Sequence, residues 1–128
     1  MFEFGCGTGR FAQALLTHHL PGTATYHAID ISPVMVGIAR QRLEQFGPRA
    51  NVRITDGRLS IDEPSESLDR FISTFVLDLL SEHDIDKVIR EAHRLLRPGG
   101  LLALSSQTAG FTLASRIFGS VWLSLIHI

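Results

Sequence analysis

A single cysteine, Cys6, occurs in the 128 residues. That excludes an intrachain disulfide and fits a reducing compartment, so a cytoplasmic location is expected. Neither charge is in excess: 12 basic residues face 13 acidic ones, for a formal net charge of −1. The basic residues form no cluster, so the footprint of a nucleic-acid-binding face is missing, and no run of like charges marks a solvated tail. The N-terminus has no basic segment leading into a long apolar run, and no secretory signal is expected there. The most apolar stretch, Phe111 to Ile128, carries Arg116 and several serines. It barely reaches the length that spans a bilayer, and no membrane partner is expected. The histidines (His18, His19, His27, His83, His93 and His127) show no ligand spacing, so no metal site is expected. Internal repeats and low-complexity segments are also missing.

Hydrophobic residues make up 45% of the chain, enough for one domain with one core. Strand-like apolar runs alternate with segments of helical period, which predicts an α/β domain with a parallel sheet. Phe2 to Phe4 reads as the end of a strand, followed by the glycine-rich turn Gly5 to Gly9. A helix follows with Phe11, Ala12, Leu15 and Leu16 on one face, and Pro21-Gly22 stops it. Thr25 to Ile29 is the predicted second strand, ending at Asp30. Ser32 then caps a second helix with Pro33 at its first position. Met35, Val36, Ala39, Leu43 and Phe46 are its expected buried stripe, and Gly47-Pro48 ends it. Asn51 to Thr55 is a third strand, Ser60 to Ser67 a polar loop, and Leu68 to Val76 carries a fourth strand. A third helix spans Asp84 to Leu96, with Ile85, Val88, Ile89, Ala92, Leu95 and Leu96 expected inward. Pro98-Gly99-Gly100 closes it, Leu101 to Ser105 is a fifth strand, and a weakly patterned helix follows Gly110.

Five stretches carry the chemistry: Glu3-Phe4-Gly5-Cys6-Gly7-Thr8-Gly9, Ala28-Ile29-Asp30-Ile31-Ser32-Pro33, Thr55-Asp56-Gly57, Leu68 to Phe75, and Leu95-Leu96-Arg97-Pro98-Gly99-Gly100. In this order and spacing the chain resembles the class I S-adenosylmethionine-dependent methyltransferases of small-molecule type, from Phe2 to about Trp122. The resemblance implies a Rossmann-like, doubly wound parallel sheet of order 3-2-1-4-5. It implies S-adenosylmethionine as cofactor and a small-molecule methyl acceptor. The cofactor-binding residues it implies are Glu3, Gly5, Cys6, Gly7, Thr8, Gly9, Asp30, Ile31, Met35, Asp56, Gly57 and Thr74. Asp30 would accept from the two ribose hydroxyls, and Asp56-Gly57 would meet the adenine edge.

Each position has a plainer reading too. Glu3 alone reads equally as a strand-end ion-pair partner, Asp30 as a turn residue before the Ser32 cap, and Asp56-Gly57 as an ordinary turn. Their joint order favours the cofactor reading. Cys6 reads as a small loop filler rather than a nucleophile, and Asp78 and His83 as loop and cap residues rather than catalytic groups. No base stands out, so catalytic residues and acceptor atom stay open. The enzyme alternative is a nicotinamide dehydrogenase, but its G-x-G-x-x-G fingerprint would need glycine where Arg10 stands, and a carboxylate at Glu3 would repel a pyrophosphate. Two further alternatives are a cofactor-binding module without transferase activity and a fragment that binds nothing.

The first strand has only three residues, against about five or six in an average strand. The family pattern has an apolar run before the acidic residue and two more strands, the last antiparallel. A chain truncated at both ends is therefore expected, with residues 1–122 as a partial methyltransferase core. One reverse translation of Leu123 to Ile128 is a transposon-end adapter used in preparing sequencing libraries, so 123–128 is expected to be a non-native tail.

Overall fold

A computed structural model describes residues 1–107 of the chain. The expectations for the segment after Gly110, including the tail at 123–128, lie outside the described residues. The elements run β1 (Phe2–Phe4), α1 (Arg10–His18), β2 (Tyr26–Asp30), α2 (Pro33–Leu43), β3 (Ala50–Ile54), β4 (Leu68–Thr74), α3 (Glu82–Leu95) and β5 (Leu96–Ser105). Short 3₁₀ turns cover Glu44–Arg49 and Leu77–Leu79.

All pairings are parallel, and the spatial order is β3-β2-β1-β4-β5. That order follows from right-handed crossovers: two winds run outward from β1 through α1 and α2, and the chain then returns to the other side of β1 for β4. The short β1 is therefore central, with Glu3 opposite Ala28 on β2 and Ile72 on β4. Side-chain alternation divides the core in two. Phe2, Phe4, Ile29 and Phe71 pack with Val88, Ala92 and Leu95 of α3. Tyr26, Ala28 and Val52 pack with Ala12 and Leu16 of α1 and Val36, Ala39 and Leu43 of α2. Phe2 and Phe71, paired across neighbouring strands, stack at 5.5 Å.

Several boundaries differ from the sequence expectation. β5 begins at Leu96, directly after α3, rather than at Leu101. Leu68 pairs with Leu96 and Arg70 with Leu101, so Arg97 to Gly100 loop out of the ladder between them. The Pro98-Gly99-Gly100 signal is thus a bulge within the strand, made possible by Gly99 at φ +78°. α3 starts earlier than expected, at Glu82, because the Ser81 hydroxyl accepts from the Asp84 N–H and caps it. Two expected inward residues face out: Phe11 is 40% exposed and Met35 37%. Met35 lies in the first turn of α2, off the buried stripe of Val36, Ala39 and Leu43. α2 ends at Leu43, which leaves Phe46 half-buried in the 3₁₀ turn. Ile85, Ile89 and Leu96 are likewise only half-buried.

Because Phe71 is fully buried in the three-layer centre, Phe71→Ala is expected to cost about 3–5 kcal/mol and Phe71→Leu about 1–2 kcal/mol. Urea unfolding midpoints of the two variants against the parent chain check this ranking.

Candidate functional site

The loop from Gly5 to Gly9 leaves the carboxyl end of β1 and runs into α1. Its backbone is fixed at both ends. The Gly5 and Cys6 N–H groups donate to the Ile29 carbonyl at the end of β2, and the Gly9 N–H donates to the Cys6 carbonyl. Arg42 of α2 donates to the Thr8 carbonyl from the other side. The three glycines have left-handed backbones for different reasons. A Cβ on Gly5 would sit 2.2 Å from a Val76 methyl, and one on Gly9 would sit 3.1 Å from the Ala39 Cβ, where α1 and α2 approach. A Cβ on Gly7 would meet nothing within 4 Å, because that residue faces open space.

Asp30 binds the loop to the end of β2. One carboxylate oxygen accepts from the Gly7 N–H at 2.8 Å, and the other accepts from the Ser32 N–H at 2.9 Å. Beside it lies an apolar cleft of about 190 Å³, lined by Gly5, Asp30, Ile31, Gly57, Leu59 and Val76 among others. Ile31 is 65% exposed at its mouth. Gly57, at φ +84°, lies close enough that an added Cβ would stand 3.1 Å from the Ile31 side chain.

Glu3 is 1% exposed and points to the α1–α2 side of the sheet, beneath the loop. It accepts a 2.5 Å hydrogen bond from the Tyr26 hydroxyl, and the Thr74 hydroxyl also favours its charged form. Burial is the main influence on it and pushes its ionisation up to about 7, against the pull of these two hydroxyls. Asp30 raises it further by like charge. Burial, together with Asp30 and Glu3, pushes the Cys6 thiol up to about 12, so it stays protonated and is no nucleophile.

The fold thus gathers Glu3, Gly5, Cys6, Gly7, Thr8, Gly9, Asp30, Ile31, Gly57 and Thr74 around the carboxyl ends of β1, β2 and β4. Of the expected residues, Gly5, Asp30, Ile31 and Gly57 line the apolar cleft, and Asp56 sits between two residues that do, Thr55 and Gly57. The Asp56 carboxylate accepts from the Arg58 N–H and pairs with its guanidinium, so it is engaged in its own turn. Asp78 accepts from the Gln107 N–H with both oxygens, which ties the end of β5 to the turn after β4. His83 is exposed in the first turn of α3. The sequence reading missed Tyr26, Arg42, Leu59 and Val76. Only Tyr26 had a usable signal, as an alternate-position residue on the strand next to Glu3.

The family profile described as "Methyltransferase domain" matches residues 1–100. The chain belongs to the class I S-adenosylmethionine-dependent methyltransferases. Carboxy-S-adenosyl-L-methionine synthase of Chromohalobacter salexigens is 30% identical over 84% of this chain and 39% of its own length. The tRNA N(3)-cytidine methyltransferase METTL2 of Gallus gallus is 32% identical over 81% of this chain and 29% of its own. This methyltransferase chain therefore spans less than half the length of these curated relatives. Among solved structures, phosphoethanolamine N-methyltransferase 1 of Haemonchus contortus superposes with a TM-score of 0.74 at 19% identity, over 85% of this chain and 22% of that one. It shares the fold, and it was solved with phosphoethanolamine and S-adenosylhomocysteine. S-adenosylmethionine is the cofactor of the family.

Two predictions follow from the geometry of this methyltransferase loop. Gly5→Ala should lower stability by about 2 kcal/mol or more through its clash with Val76. Gly7→Ala should cost only about 1 kcal/mol of backbone strain. If thermal melts rank the two the other way, the packing role given to Gly5 is wrong.

The second concerns pH. Glu3 ionises near 4.5 in an unfolded chain and at about 7 in the fold, so the folded state holds its proton more tightly. Its contribution is complete below pH 4.5 and is lost as the pH rises through 7. Stability should therefore fall by about 2–3 kcal/mol between pH 5 and 8. Glu3→Gln should flatten that slope in urea titrations at the two pH values.

Proposed function

We propose that this chain is the donor-binding part of a methyltransferase acting on a small-molecule acceptor, with S-adenosylmethionine held at the carboxyl ends of β1 and β2. The carrying observation is the glycine loop flanked by two carboxylates, Glu3 and Asp30, neither of which has a basic partner among the described residues. A site whose carboxylates stand in no ion pair among the described residues, with an adjoining apolar cleft, suits a ligand that is cationic at one end and aromatic at the other.

Each Asp30 oxygen accepts one backbone N–H and keeps a free lone pair, so the pair can still receive two ribose hydroxyls. Gly7 leaves room for close approach over the loop, with Cys6, Thr8 and Gly9 shaping its backbone. The cleft between Ile31 and Leu59 admits a flat ring, with Gly57 giving clearance at its edge. Met35, exposed one turn into α2, would flank the ribose, and Asp56 would serve the ring edge only after its Arg58 pairing opens. Thr74 reaches the site through Glu3.

The sulfonium of the donor supplies an already activated methyl group. The task left to the protein is to fix approach geometry and keep water out. A small acceptor is favoured over RNA by the charge distribution. Arg53, Arg58, Lys87, Arg90, Arg94 and Arg97 all stand in ion pairs with carboxylates, which leaves no basic face along α3 for a phosphate backbone. A cytoplasmic location agrees with the single free cysteine, and no helix among the described residues is long and apolar enough to cross a membrane.

Isothermal calorimetry with S-adenosylhomocysteine and with NAD tests the reading. S-adenosylhomocysteine should bind and NAD should not. Asp30→Ala should weaken the binding by about 10–100-fold, the loss of hydrogen bonds to a charged acceptor. It should also lower stability, because the Gly7 N–H loses its partner. NAD binding without S-adenosylhomocysteine binding would overturn the assignment.

A further inference from the structure

Tyr26 is fully buried, and nothing in the donor-site reading uses it. Its position follows from register. Glu3 on β1 lies opposite Ala28 on β2 and Ile72 on β4. Residues two further along a neighbouring strand share the same face within reach of a long side chain. Tyr26 stands two positions before Ala28, and Thr74 stands two positions after Ile72. Both therefore converge on Glu3 from opposite sides.

We propose that Tyr26 is a positioning residue for donor binding: its phenol holds the Glu3 carboxylate beneath the glycine loop, and through that carboxylate it makes binding of a cationic donor proton-linked. This rests on the donor-site reading above. The groups that bear most on Glu3 are Tyr26 and Asp30 from β2, Thr74 from β4, and Cys6 from the loop, whose thiol is raised by the Glu3 charge. None of these is basic; Arg42 of α2 reaches the same loop, where it donates to the Thr8 carbonyl. Glu3 is shielded from solvent, so it acts on a ligand across the loop and not by contact.

The direction of the linkage follows. Burial and Asp30 hold the carboxyl protonated to about pH 7, whereas the Tyr26 hydrogen bond favours the ionised form. Burial and the Glu3 charge raise the ionisation of Tyr26 itself, so it stays a fixed donor and carries no proton away. A cation arriving over the loop favours ionised Glu3, and the displaced proton leaves to bulk buffer. Affinity therefore rises with pH through neutrality. Tyr26→Phe removes the donor, moves the ionisation of Glu3 upward and shifts the affinity profile with it.

Tyr26 is the only tyrosine of the chain, so tyrosine labelled with ¹³C at Cζ gives one NMR signal next to Glu3. In the free chain that signal should step with a midpoint at about 7. Saturating S-adenosylhomocysteine should lower the midpoint by about one unit, and Glu3→Gln should abolish the step. Calorimetry at about pH 7 in buffers of different ionisation enthalpy should show about half a proton released per ligand bound. For Tyr26→Phe, affinity should fall about threefold at about pH 7 and less than about twofold at about pH 8.5. A uniform loss across that range would mean a merely structural role and would overturn the proposal, as would a parent chain whose Cζ signal shows no step. Binding of S-adenosylhomocysteine with a flat pH profile sinks this inference and leaves the donor-site reading intact, whereas binding at no pH sinks both. Should Tyr26→Phe fail to fold, the label in the parent and in Glu3→Gln still decides the question.

Discussion

Asp30 takes the Gly7 N–H on one carboxylate oxygen and the Ser32 N–H on the other. That single side chain fixes three things at once: the middle of the loop after β1, the end of β2 and the entry into α2. The loop has no regular structure of its own, and its glycines allow many backbone states. Without an acceptor at this point the Gly7 N–H would lack a protein partner. Because β1 and β2 are adjacent and parallel, their carboxyl ends lie side by side, and Asp30, the last residue of β2, reaches across to the Gly7 N–H. The site therefore depends on the sheet order, and the sheet order depends on the right-handed crossover through α1.

The cost of this arrangement is electrostatic. The Asp30 charge raises the free energy of ionising Glu3. Glu3 is the more strained member because it is buried, and a buried carboxylate without a cation is unfavourable unless hydrogen bonds or protonation relieve it. The fold relieves it partly with hydroxyls from Tyr26 and Thr74, which stabilise the charge without neutralising it. Replacing Tyr26 by a basic residue would settle the charge permanently and remove the attraction for a cationic ligand. Hydroxyl donors leave the carboxylate poised.

Most of the fold was legible because its punctuation is local. Ser32-Pro33 marks the start of α2, and the Val88–Ala92–Leu95 stripe of α3 is periodic enough to assign from spacing alone, whereas Gly47-Pro48 falls in the 3₁₀ turn beyond the end of α2 at Leu43. The strand order followed from alternation and handedness. What was not legible depends on register. Whether Pro98-Gly99-Gly100 separates α3 from β5 or bulges out of β5 is decided by which residue faces Leu68, and no local pattern reveals that. Glu3 was recognised as chemically important, but its partner Tyr26 is visible only once Glu3 is known to face Ala28. Asp56 adds a feature that its turn signal does not show. Its turn position was read correctly, but the carboxylate is already occupied by Arg58 two residues on.

The same electrostatics separates this loop from a dinucleotide-binding one. α1 begins at Arg10 after a left-handed Gly9, with no side-chain cap and no acidic residue in its first turn. Its free N–H groups alone would welcome a phosphate. Yet Asp30 already occupies the Gly7 N–H of the loop leading into it, and Glu3 lies directly beneath. A pyrophosphate seated over Gly7 would compete with one carboxylate for that donor and be repelled by both. Lowered effective dielectric around the buried Glu3 makes the repulsion worth more than it would be in water. A ligand that brings positive charge to the same place meets the opposite balance. The helix terminus would suit an anion in either case, and on the donor-site reading proposed above it is the two carboxylates beside it that favour a cationic ligand.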